Sequence, residues 1–457
     1  MRGPTGEMKA ALREIRSVLT VVACGKAARL TSDSAAAFLV YVVGHGLAFL
    51  TQLVIARLLG ASSYGVYTYV VAWMTVLAYT AMLGFNVSLV RFIPTYAARN
   101  AWSLLAGVIR YAERRVLSAS LLLAAAGALL VLATGPALGV ELSNAFVVGF
   151  LIVPLLSLIS VRCAIVRAFG GVVSALVPMR VIREGFLFAF ACIWLLRGDA
   201  VGPTAVVAVT VVGLALAFLF ATRHMDRLQP LALKDARPQY DARAWRQATF
   251  PMFVVTAGEA LFDKTGVLML GFASASQDAG IFALVFNMGL LVVLPRTAVD
   301  TIFAPAIARL YAEGKYAEMQ SMVVRASLLS LSGAAAIVVV LAVIADPVLG
   351  WFGSDFATGR TPLIILLMGQ LFAAAGGSQL SVLAMTGNEA GAARILVLSA
   401  LAHALMCAAL VSLWGLIGAA IATAAALVVW NVLMALDIRR KLRLWPGVVG
   451  VFRPAAV

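Results

Sequence analysis

The chain has 457 residues, of which 63% are hydrophobic and only 12% are charged, and its mean hydropathy is +1.01. Soluble domains are roughly one quarter charged, so this composition excludes an ordinary water-soluble protein. The formal net charge is +15. In so apolar a chain this charge is expected to set membrane topology and to contact anionic lipids, and it does not indicate a nucleic-acid partner. The lipid bilayer is therefore the first predicted partner.

Apolar runs of about 20 residues, the length needed to cross a bilayer, recur along the whole chain. Backbone groups in lipid must be hydrogen-bonded internally, and the runs lack strand-like alternation, so each run predicts a helix. The fifth run is short, and its helix could start earlier. The sequence predicts an all-α polytopic membrane protein with twelve transmembrane helices, at about residues 35–56, 66–90, 116–134, 145–169, 181–196, 203–221, 250–271, 279–302, 323–345, 362–386, 392–412 and 414–436.

The longest polar interruption divides these helices six and six. It covers residues 223–249, is rich in basic side chains and contains Pro230 and Pro238, so it is interpreted as a cytoplasmic linker. The remaining predicted domains are an amphipathic cytoplasmic extension at 1–33, six-helix bundles at 34–222 and 250–436, and a basic cytoplasmic tail at 437–457.

The amino-terminal extension contains "VVACGK" at residues 21–26, which is similar to a lipoprotein cleavage box. The apolar stretch before Cys24 is short, and Glu14 interrupts the basic region ahead of it. An amphipathic helix lying in the inner membrane interface is therefore the preferred interpretation.

The distribution of positive charge predicts the orientation. Most of the 35 Lys and Arg residues fall in segments that share one side of the membrane when the twelve helices alternate. Cytoplasmic loops carry such an excess, so both termini are predicted to be cytoplasmic, as expected of a multi-pass protein of a bacterial inner membrane. Within the predicted helices lie Arg57, Lys264 and Arg296.

The two halves contain an internal repeat. "GVYTYVVAW" begins at Gly65 and "GIFALVFNM" begins at Gly280, and Phe-x-Pro follows each of them at nearly the same spacing, at 92–94 and 303–305. Because each half has an even number of helices, the repeats are parallel, with their axis along the membrane normal. A ligand path is expected between the two halves.

The seventh helix carries three charges in its apolar run, at Glu259, Asp263 and Lys264. The stripe formed by Thr256, Glu259, Asp263 and Gly266 follows helical spacing and should face an aqueous interior, because charges in lipid are costly. Two carboxylates one turn apart disfavour joint ionisation, so Glu259 and Asp263 are candidates for ion coupling. Lys264 either lines the passage or forms a buried ion pair with another helix.

Helix eight contains "LPRTAVDTIFAP", in which Arg296 and Asp300 are four residues apart. They could pair with each other, or Arg296 could bind an anionic substrate. Near the predicted outer end of helix one, Arg57 could either extend to lipid headgroups or face the passage. The candidate substrate path therefore consists of Arg296, Arg57, Lys264 and Asp300. His45 and Gln52 share a helix face and either bond to other helices or contact ligand.

Three segments carry a resemblance to a known family. "IARLLGASSYGVYTYVVAW" with "SLVRFIPTYAARN", "LMLGFASASQDAGIFALVFNMG", and "WGLIGAAIATAAALVVWNVLMALDIRRKL" are similar to segments of polysaccharide-biosynthesis flippases. These belong to the multidrug/oligosaccharidyl-lipid/polysaccharide exporter superfamily. The resemblance covers about residues 35–443. It implies a V-shaped pair of six-helix bundles with alternating access, and the flipping of an undecaprenyl-pyrophosphate-linked oligosaccharide.

The same resemblance implies no cofactor, transport coupled to a gradient of H+ or Na+, and contacts with a glycan polymerase or glycosyltransferases. A multidrug or cation antiporter and a lipid II flippase are the alternatives within the superfamily. An enzyme is not predicted, because the outer loops are short and no catalytic constellation is present. A periplasmic glycan polymerase or ligase is therefore disfavoured, and a non-transporting membrane partner of glycan machinery is a further alternative.

Overall fold

The computed structural model describes residues 26–273 and 276–451. The predicted amphipathic helix and the sequence around Cys24 lie outside the described residues. Every regular element in the described part is helical. Numbered in chain order, the helices are α1 Lys26–Ala81, α2 Phe85–Ala98, α3 Trp102–Leu138, α4 Val140–Gly149, α5 Ile152–Ala168, α6 Val172–Val177, α7 Arg183–Arg197, α8 Pro203–Leu228, α9 Leu231–Lys234, α10 Ala242–Phe272, α11 Ser276–Leu290, α12 Leu294–Ala312, α13 Tyr316–Val343, α14 Ala345–Phe352, α15 Arg360–Gly376, α16 Gln379–Met385 and α17 Glu389–Leu442.

Short turns of other helical type join some of these elements. A π-helical turn at Pro178–Ile182 makes α6 and α7 continuous, so the helix that holds the short fifth run starts at Val172, earlier than residue 181. Segments of 3-10 helix follow α11 at Leu291–Val293, precede α15 at Ser354–Gly359, and close the described chain at Val448–Val451. The predicted linker at 223–249 contains the end of α8, all of α9 and the start of α10.

Eight stretches within the described residues are long and apolar enough to cross a membrane. Two of them, Leu39–Ala98 with 60 residues and Glu389–Leu442 with 54, are far longer than one crossing requires. At roughly 1.5 Å per residue each would measure about 80 to 90 Å if straight, against a hydrocarbon core of about 30 Å. Each must therefore fold back within its length.

Glycines provide the two reversals. Gly415 has φ 53° and ψ −126°, in the left-handed half of conformational space that glycine adopts without a Cβ clash. On either side of it, the Nε2 atom of His403 and the Oγ1 atom of Thr423 are 3.1 Å apart although 20 residues separate them. In a straight helix the separation would be about 30 Å. Gly60, with φ 71° and ψ 170°, reverses α1 in the same way.

The two halves pack closely at the end of the molecule that carries the Gly60 turn. The Oγ atoms of Ser62 and Ser276 are 3.3 Å apart. A Cβ added at Gly65 would overlap the carbonyl oxygen of Ser276, and one added at Gly280 would overlap that of Ala61. Gly65 and Gly280 are equivalent positions of the internal repeat, and their mutual contact is the arrangement that a two-fold relation between the halves produces. We call this contact the glycine seam.

At the opposite end, the start of α10 packs against the first half. The carbonyl oxygen of Thr249 approaches Gly84 so closely that a Cβ there would lie 2.5 Å from it. The indole of Trp245 is fully buried and its N–H donates to the hydroxyl of Tyr96 at 3.0 Å. The backbone N–H of Gln239 donates to Ser103 at 2.9 Å. The segment between the halves is therefore tied to the first half and sets the direction in which α10 enters the structure.

The glycine seam predicts a specific cross-link. In a chain whose four native cysteines are replaced by serine, Ser62→Cys with Ser276→Cys should form a disulfide under mild oxidation, because the two hydroxyls are already in contact. Gly65→Val should slow this reaction, since its side chain forces the backbones apart. The product is measured as resistance of the full-length band to a protease whose site is inserted near Tyr240.

Ser62→Cys with Gln277→Cys is the matched control and should react more slowly. Equal rates for the two pairs would contradict the contact.

Candidate functional site

A cavity of about 660 Å³ lies between the two halves. Helices of the first half (α1, α2, α5, α6 and α7) and of the second half (α10, α11 and α12) all contribute to its wall. About half of the residues that line this central cavity are polar. Its polar side chains are His45, Gln52, Tyr67, Thr68, Thr75, Tyr79, Asn86, Ser160, Arg167, Arg180, Arg183, Glu184, Glu259, Asp263, Lys264 and Asn287.

The second pass of α1 forms one wall of the central cavity and follows helical spacing. Thr68, Val71, Thr75 and Tyr79 lie three or four residues apart and all face the cavity. Thr68 and Thr75 donate their hydroxyl hydrogen bonds to their own helix backbone, at 3.1 Å and 2.7 Å. These side chains therefore give the wall polarity without needing a partner from another helix.

Helix α10 brings all three predicted charges into the central cavity. Glu259, Asp263 and Lys264 line it together, and the carboxylates of Glu259 and Asp263 are open to it. Only Glu259 and Asp263 of the predicted polar stripe line the cavity. Thr256 is buried and donates to the carbonyl of Met252 at 3.0 Å, and Gly266 packs under the ring of Phe282.

The continuous helix α6–α7 supplies two further cations that were not among the candidates from the sequence. Arg180 lies in the π-helical turn and Arg183 begins α7, and both line the central cavity. Arg180 precedes the predicted fifth helix at 181–196, but it lies within the observed helix because that helix starts at Val172. The sequence signals were the shortness of the fifth run and Pro178, which opens the π turn. Such π-helical turns occur frequently at functional sites.

Arg183 and Glu184 form a buried ion pair. The Nε–H of Arg183 donates to Oε1 of Glu184 at 2.9 Å, and its Nη2 atom donates to the same oxygen. Glu184 is only 2% exposed, and its Oε2 atom has no hydrogen-bond partner among the described residues. This pairing uses the charge of Arg183 locally, so that arginine is less available to a ligand than its neighbours.

Arg180 and Lys264 have no such partner. Neither lies within 4.0 Å of a carboxylate oxygen in the described parts of the chain. The guanidinium of Arg180 lies over the ring of Tyr41, 5.3 Å from its centroid, which holds it by cation–π attraction and leaves its N–H groups free. Lys264 comes from the other half. The central cavity therefore presents free cations from both halves, because Arg180 and the exposed Arg167 come from the first half and Lys264 comes from the second.

Uncharged hydrogen-bonding groups lie beside these charges. The amide oxygen of Gln52 accepts from the hydroxyl of Tyr64 at 3.0 Å, which orients its amide toward the space it shares with Asn287. The Nδ1 atom of His45 lies 2.8 Å from the carbonyl oxygen of Tyr41. His45 and Gln52 thus bond to their surroundings and line the central cavity at the same time. Amide and imidazole groups of this kind can bind hydroxyls of a polar ligand.

Arg57 lies outside the central cavity. Its side chain is exposed and its guanidinium lies 5.9 Å from the ring centroid of Trp351, which is itself half exposed. Both residues are near the end of the molecule that carries the Gly60 turn. The contact is with an aromatic side chain of the second half and not with the polar lining.

Arg296 and Asp300 also lie outside the lining of the central cavity, although Leu294, two residues before Arg296, belongs to it. No N–O contact within 4.0 Å joins the two charged groups among the described residues. The carboxyl of Asp300 instead lies next to the hydroxyls of Ser378 and Ser381. The i, i+4 spacing permits an ion pair, but the side chains do not form one in this structure.

Comparison with known proteins agrees with this architecture. A profile described as "Polysaccharide biosynthesis protein" matches residues 30–311, more than half of the chain. Among solved structures, the lipid II flippase MurJ in an inward closed conformation has a TM-score of 0.70 at 15% identity, over 88% of this chain and 87% of that one.

Two further structures are similar. An inward-facing multidrug resistance MATE family transporter of the MOP superfamily has a TM-score of 0.65 at 14% identity, with 89% and 98% of the two chains covered. A MOP superfamily transporter from Pyrococcus furiosus, described as having a binding pocket of reversed polarity, has a TM-score of 0.60 at 14% identity, with 90% and 94% covered. At these identities the similarity shows the fold alone.

A sequence search of curated proteins finds no match. The profile match includes the first two of the three sequence segments and confirms the family resemblance. This is a multi-pass membrane protein with the fold of flippases and transporters of the MOP superfamily, and it belongs to the polysaccharide biosynthesis protein family.

Proposed function

We propose that this protein moves a polyprenyl-pyrophosphate-linked oligosaccharide, with undecaprenyl as the lipid, from the cytoplasmic to the periplasmic face of a bacterial inner membrane. A pyrophosphate and a chain of sugars are too polar to cross hydrocarbon without a wet path. Family membership gives the biosynthetic context, and the central cavity between the halves gives the polar path. The polyprenyl tail stays in the surrounding lipid.

The observation that carries this proposal is the presence of free cations from both halves in the central cavity. Arg180 from the first half and Lys264 from the second have no carboxylate within 4.0 Å among the described residues. A guanidinium can bind two phosphate oxygens at once, while an ammonium acts as a point charge. We assign the pyrophosphate to these two residues and the adjacent sugar hydroxyls to His45, Gln52 and Asn287.

We propose twelve membrane crossings in a V-shaped pair of six-helix bundles, with both termini in the cytoplasm. The reversals at Gly60 and Gly415 each turn one long helix into two crossings. Helices α6–α7 and α10 supply two more crossings, the latter despite its three charges. Closure of the glycine seam then corresponds to a closed periplasmic side, and alternating access requires the seam to open.

Ion coupling is assigned to Glu259 and Asp263. Both carboxylates face the central cavity, one helical turn apart, and Lys264 follows directly. Binding of H+ or Na+ would neutralise these carboxylates while the cavity holds no substrate. An ion that binds on the periplasmic side after the substrate has left, and that leaves on the cytoplasmic side, would accompany the return of the empty cavity, so an inward gradient would drive export.

A multidrug or cation antiporter is the second candidate. It is favoured by the open carboxylates of Glu259 and Asp263, which suit an organic cation, and by the fold shared with MATE transporters. A lipid II flippase would use the same phosphate-binding cations, because its lipid carrier is also a pyrophosphate. In the flippase proposal, glycosyltransferases supply the substrate and a glycan polymerase uses the product, so both are proposed partners.

The topology predicts which sites react with a membrane-impermeant maleimide. In intact cells expressing a cysteine-free chain, single cysteines at Ser62 and Gln277 should react from the periplasm. A cysteine at Gln239 should react only after the inner membrane is permeabilised. Labelling at Gln239 in intact cells would reverse the proposed orientation.

Removal of the free cations should impair flipping. In proteoliposomes that hold a fluorescent polyprenyl-pyrophosphate oligosaccharide, Arg180→Ala and Lys264→Ala should each lower the initial rate by about tenfold or more, because each loses a charge-assisted hydrogen bond to phosphate. Arg180→Lys should keep part of the activity. Arg197→Ala, at the exposed end of α7, is the control with an equal change in charge.

Normal flipping by the Arg180→Ala/Lys264→Ala double variant would refute the phosphate assignment. Transport of organic cations by that variant, with no flipping by the wild type, would select the antiporter.

Coupling through the carboxylates predicts a gradient dependence. If the coupled ion is H+, flipping should accelerate when a pH gradient directed into the cytoplasm is imposed, and Glu259→Gln should remove most of this acceleration because the amide cannot exchange a proton. The measurement compares flipping rates with and without the gradient. Glu318→Gln, an exposed change on α13, is the matched control, and an unaltered response in Glu259→Gln would exclude this role.

A further inference from the structure

A second cavity, of about 970 Å³, lies beside the second pass of α1. Its walls are formed by α1, the last turns of α3, the whole length of α4 and the end of α10. Leu130 of α3 and Phe272 of α10 both line it, and they are 65% and 80% exposed. The cavity is therefore open at the molecular surface, and we call it the lateral cleft.

The second pass of α1 separates the lateral cleft from the central cavity. Thr68 and Thr75 face the central cavity, whereas Tyr69 and Trp73 of the same helix line the lateral cleft. Beside them α1 and α10 pack without a gap, since a Cβ added at Gly271 would overlap the ring of Tyr69. The lateral cleft is thus distinct from the proposed substrate path.

The lining of the lateral cleft is long and mostly apolar. Its contacts run from Ser62 to Leu77 on α1 and from Leu123 to Leu138 on α3, which is 15 positions along each helix. At roughly 1.5 Å per residue each wall is about 22 Å long, more than half of a hydrocarbon core of about 30 Å. Apolar walls of this length, open at the surface of a membrane protein, are suited to a lipid chain.

The end of the lateral cleft next to the glycine seam is negatively charged. Glu141, in the first turn of α4, is the one charged residue in the lining over the described parts of the chain. Its carboxylate is exposed and accepts a hydrogen bond from the hydroxyl of Ser63 at 3.4 Å. Within those parts no Lys or Arg nitrogen lies within 4.0 Å of it. Such a carboxylate attracts an ammonium and repels an anionic headgroup.

We propose that the lateral cleft binds a membrane phospholipid whose headgroup carries an ammonium, such as phosphatidylethanolamine. One acyl chain lies between α1 and α3, and the ammonium lies at Glu141. The charge of Glu141 selects this lipid over one with an anionic headgroup and over a polyprenyl pyrophosphate. The site goes beyond the proposed function and does not depend on the substrate of the central cavity.

The position of the lateral cleft connects lipid binding to the glycine seam. Ser62 and Gly65 line it from the first half, and Gly271, Phe272 and Ser276 line it from the second. A lipid in the cleft therefore contacts both halves while the seam is closed. A ligand that binds one of two conformations better shifts the population toward that conformation. The ammonium lipid is thus expected to stabilise the closed seam and to act as a regulator of access.

The first test measures lipid binding to the purified full-length protein in detergent micelles without substrate. Thermal unfolding is followed by tryptophan fluorescence while dioleoyl phosphatidylethanolamine, or dioleoyl phosphatidylglycerol with the same chains, is added at increasing mole fraction. The ethanolamine lipid should raise the midpoint saturably and at the lower mole fraction, because it binds the folded state. Ala126→Phe, which fills the cleft, should abolish this response. Ala125→Phe, at an exposed neighbour outside the lining, is the matched control.

Changes at Glu141 separate headgroup recognition from a structural role. Glu141→Gln should raise the half-saturating mole fraction of the ethanolamine lipid about two- to fivefold, as expected for an exposed ion pair. Glu141→Lys should reverse the preference, so that the glycerol lipid binds better, which a residue with only a structural role would not do. Glu389→Gln, an exposed acid in the first turn of α17, is the control.

A second measurement tests the connection to the seam. In the Ser62→Cys/Ser276→Cys chain, disulfide formation should be faster in micelles with the ethanolamine lipid than in micelles with the glycerol lipid. Ala126→Phe should remove this difference and Ala125→Phe should retain it. Equal rates with the two lipids in the chain without either alanine change would overturn the regulatory role.

Three results would overturn the binding site itself. They are an ethanolamine-lipid response that survives Ala126→Phe, equal stabilisation by the two lipids in both the wild type and Glu141→Lys, and stronger stabilisation by undecaprenyl phosphate that Ala126→Phe removes, which would assign the cleft to the carrier chain. If Ala126→Phe fails to fold, the reversal expected of Glu141→Lys decides the question. A protein that meets these expectations but does not flip lipid-linked oligosaccharides would retain the lipid site and lose the proposed function.

Discussion

The cost of placing charge in hydrocarbon is the constraint on which the rest of this structure depends. Helix α10 carries Glu259, Asp263 and Lys264 in an apolar segment, and all three face the central cavity. A cavity that admits water lowers the cost of ionised groups and at the same time opens a route for a polar ligand. Stability and transport therefore require the same feature. The exterior follows from the same rule, since exposed leucines such as Leu122, Leu196 and Leu405 can face lipid without penalty.

At the glycine seam the two halves pack closely because its glycines have no side chains. Gly65 and Gly280 let the backbones of α1 and α11 approach so closely that one added methyl group would separate them. Small residues allow such contacts by van der Waals packing alone, with no strong polar bond to break. A seam of this type can open at modest cost, as alternation between two access states requires. The opposite end depends instead on the buried indole of Trp245, which joins α10 firmly to the first half.

The charges of the central cavity differ in how they are compensated. Arg183 and Glu184 are paired, whereas Arg180 lies over the ring of Tyr41 and keeps its N–H groups available to the cavity of about 660 Å³. This arrangement favours an anionic ligand in the central cavity.

The amino-acid sequence by itself determined the class, the helical elements, the family and the position of Lys264, Glu259 and Asp263 at a polar interior, because hydropathy and the cost of buried charge act locally along one helix. The internal repeat in the sequence also identified Gly65 and Gly280 as equivalent positions of the two halves. Only the tertiary structure placed Arg180 and Arg183 in the central cavity, and for Arg180 the helix boundary also had to move by nine residues, from 181 to 172. Only the structure separated Arg296 from Asp300 and directed Asp300 toward Ser378. Sequence spacing shows which side chains can meet on one helix, but packing between helices decides which of them do.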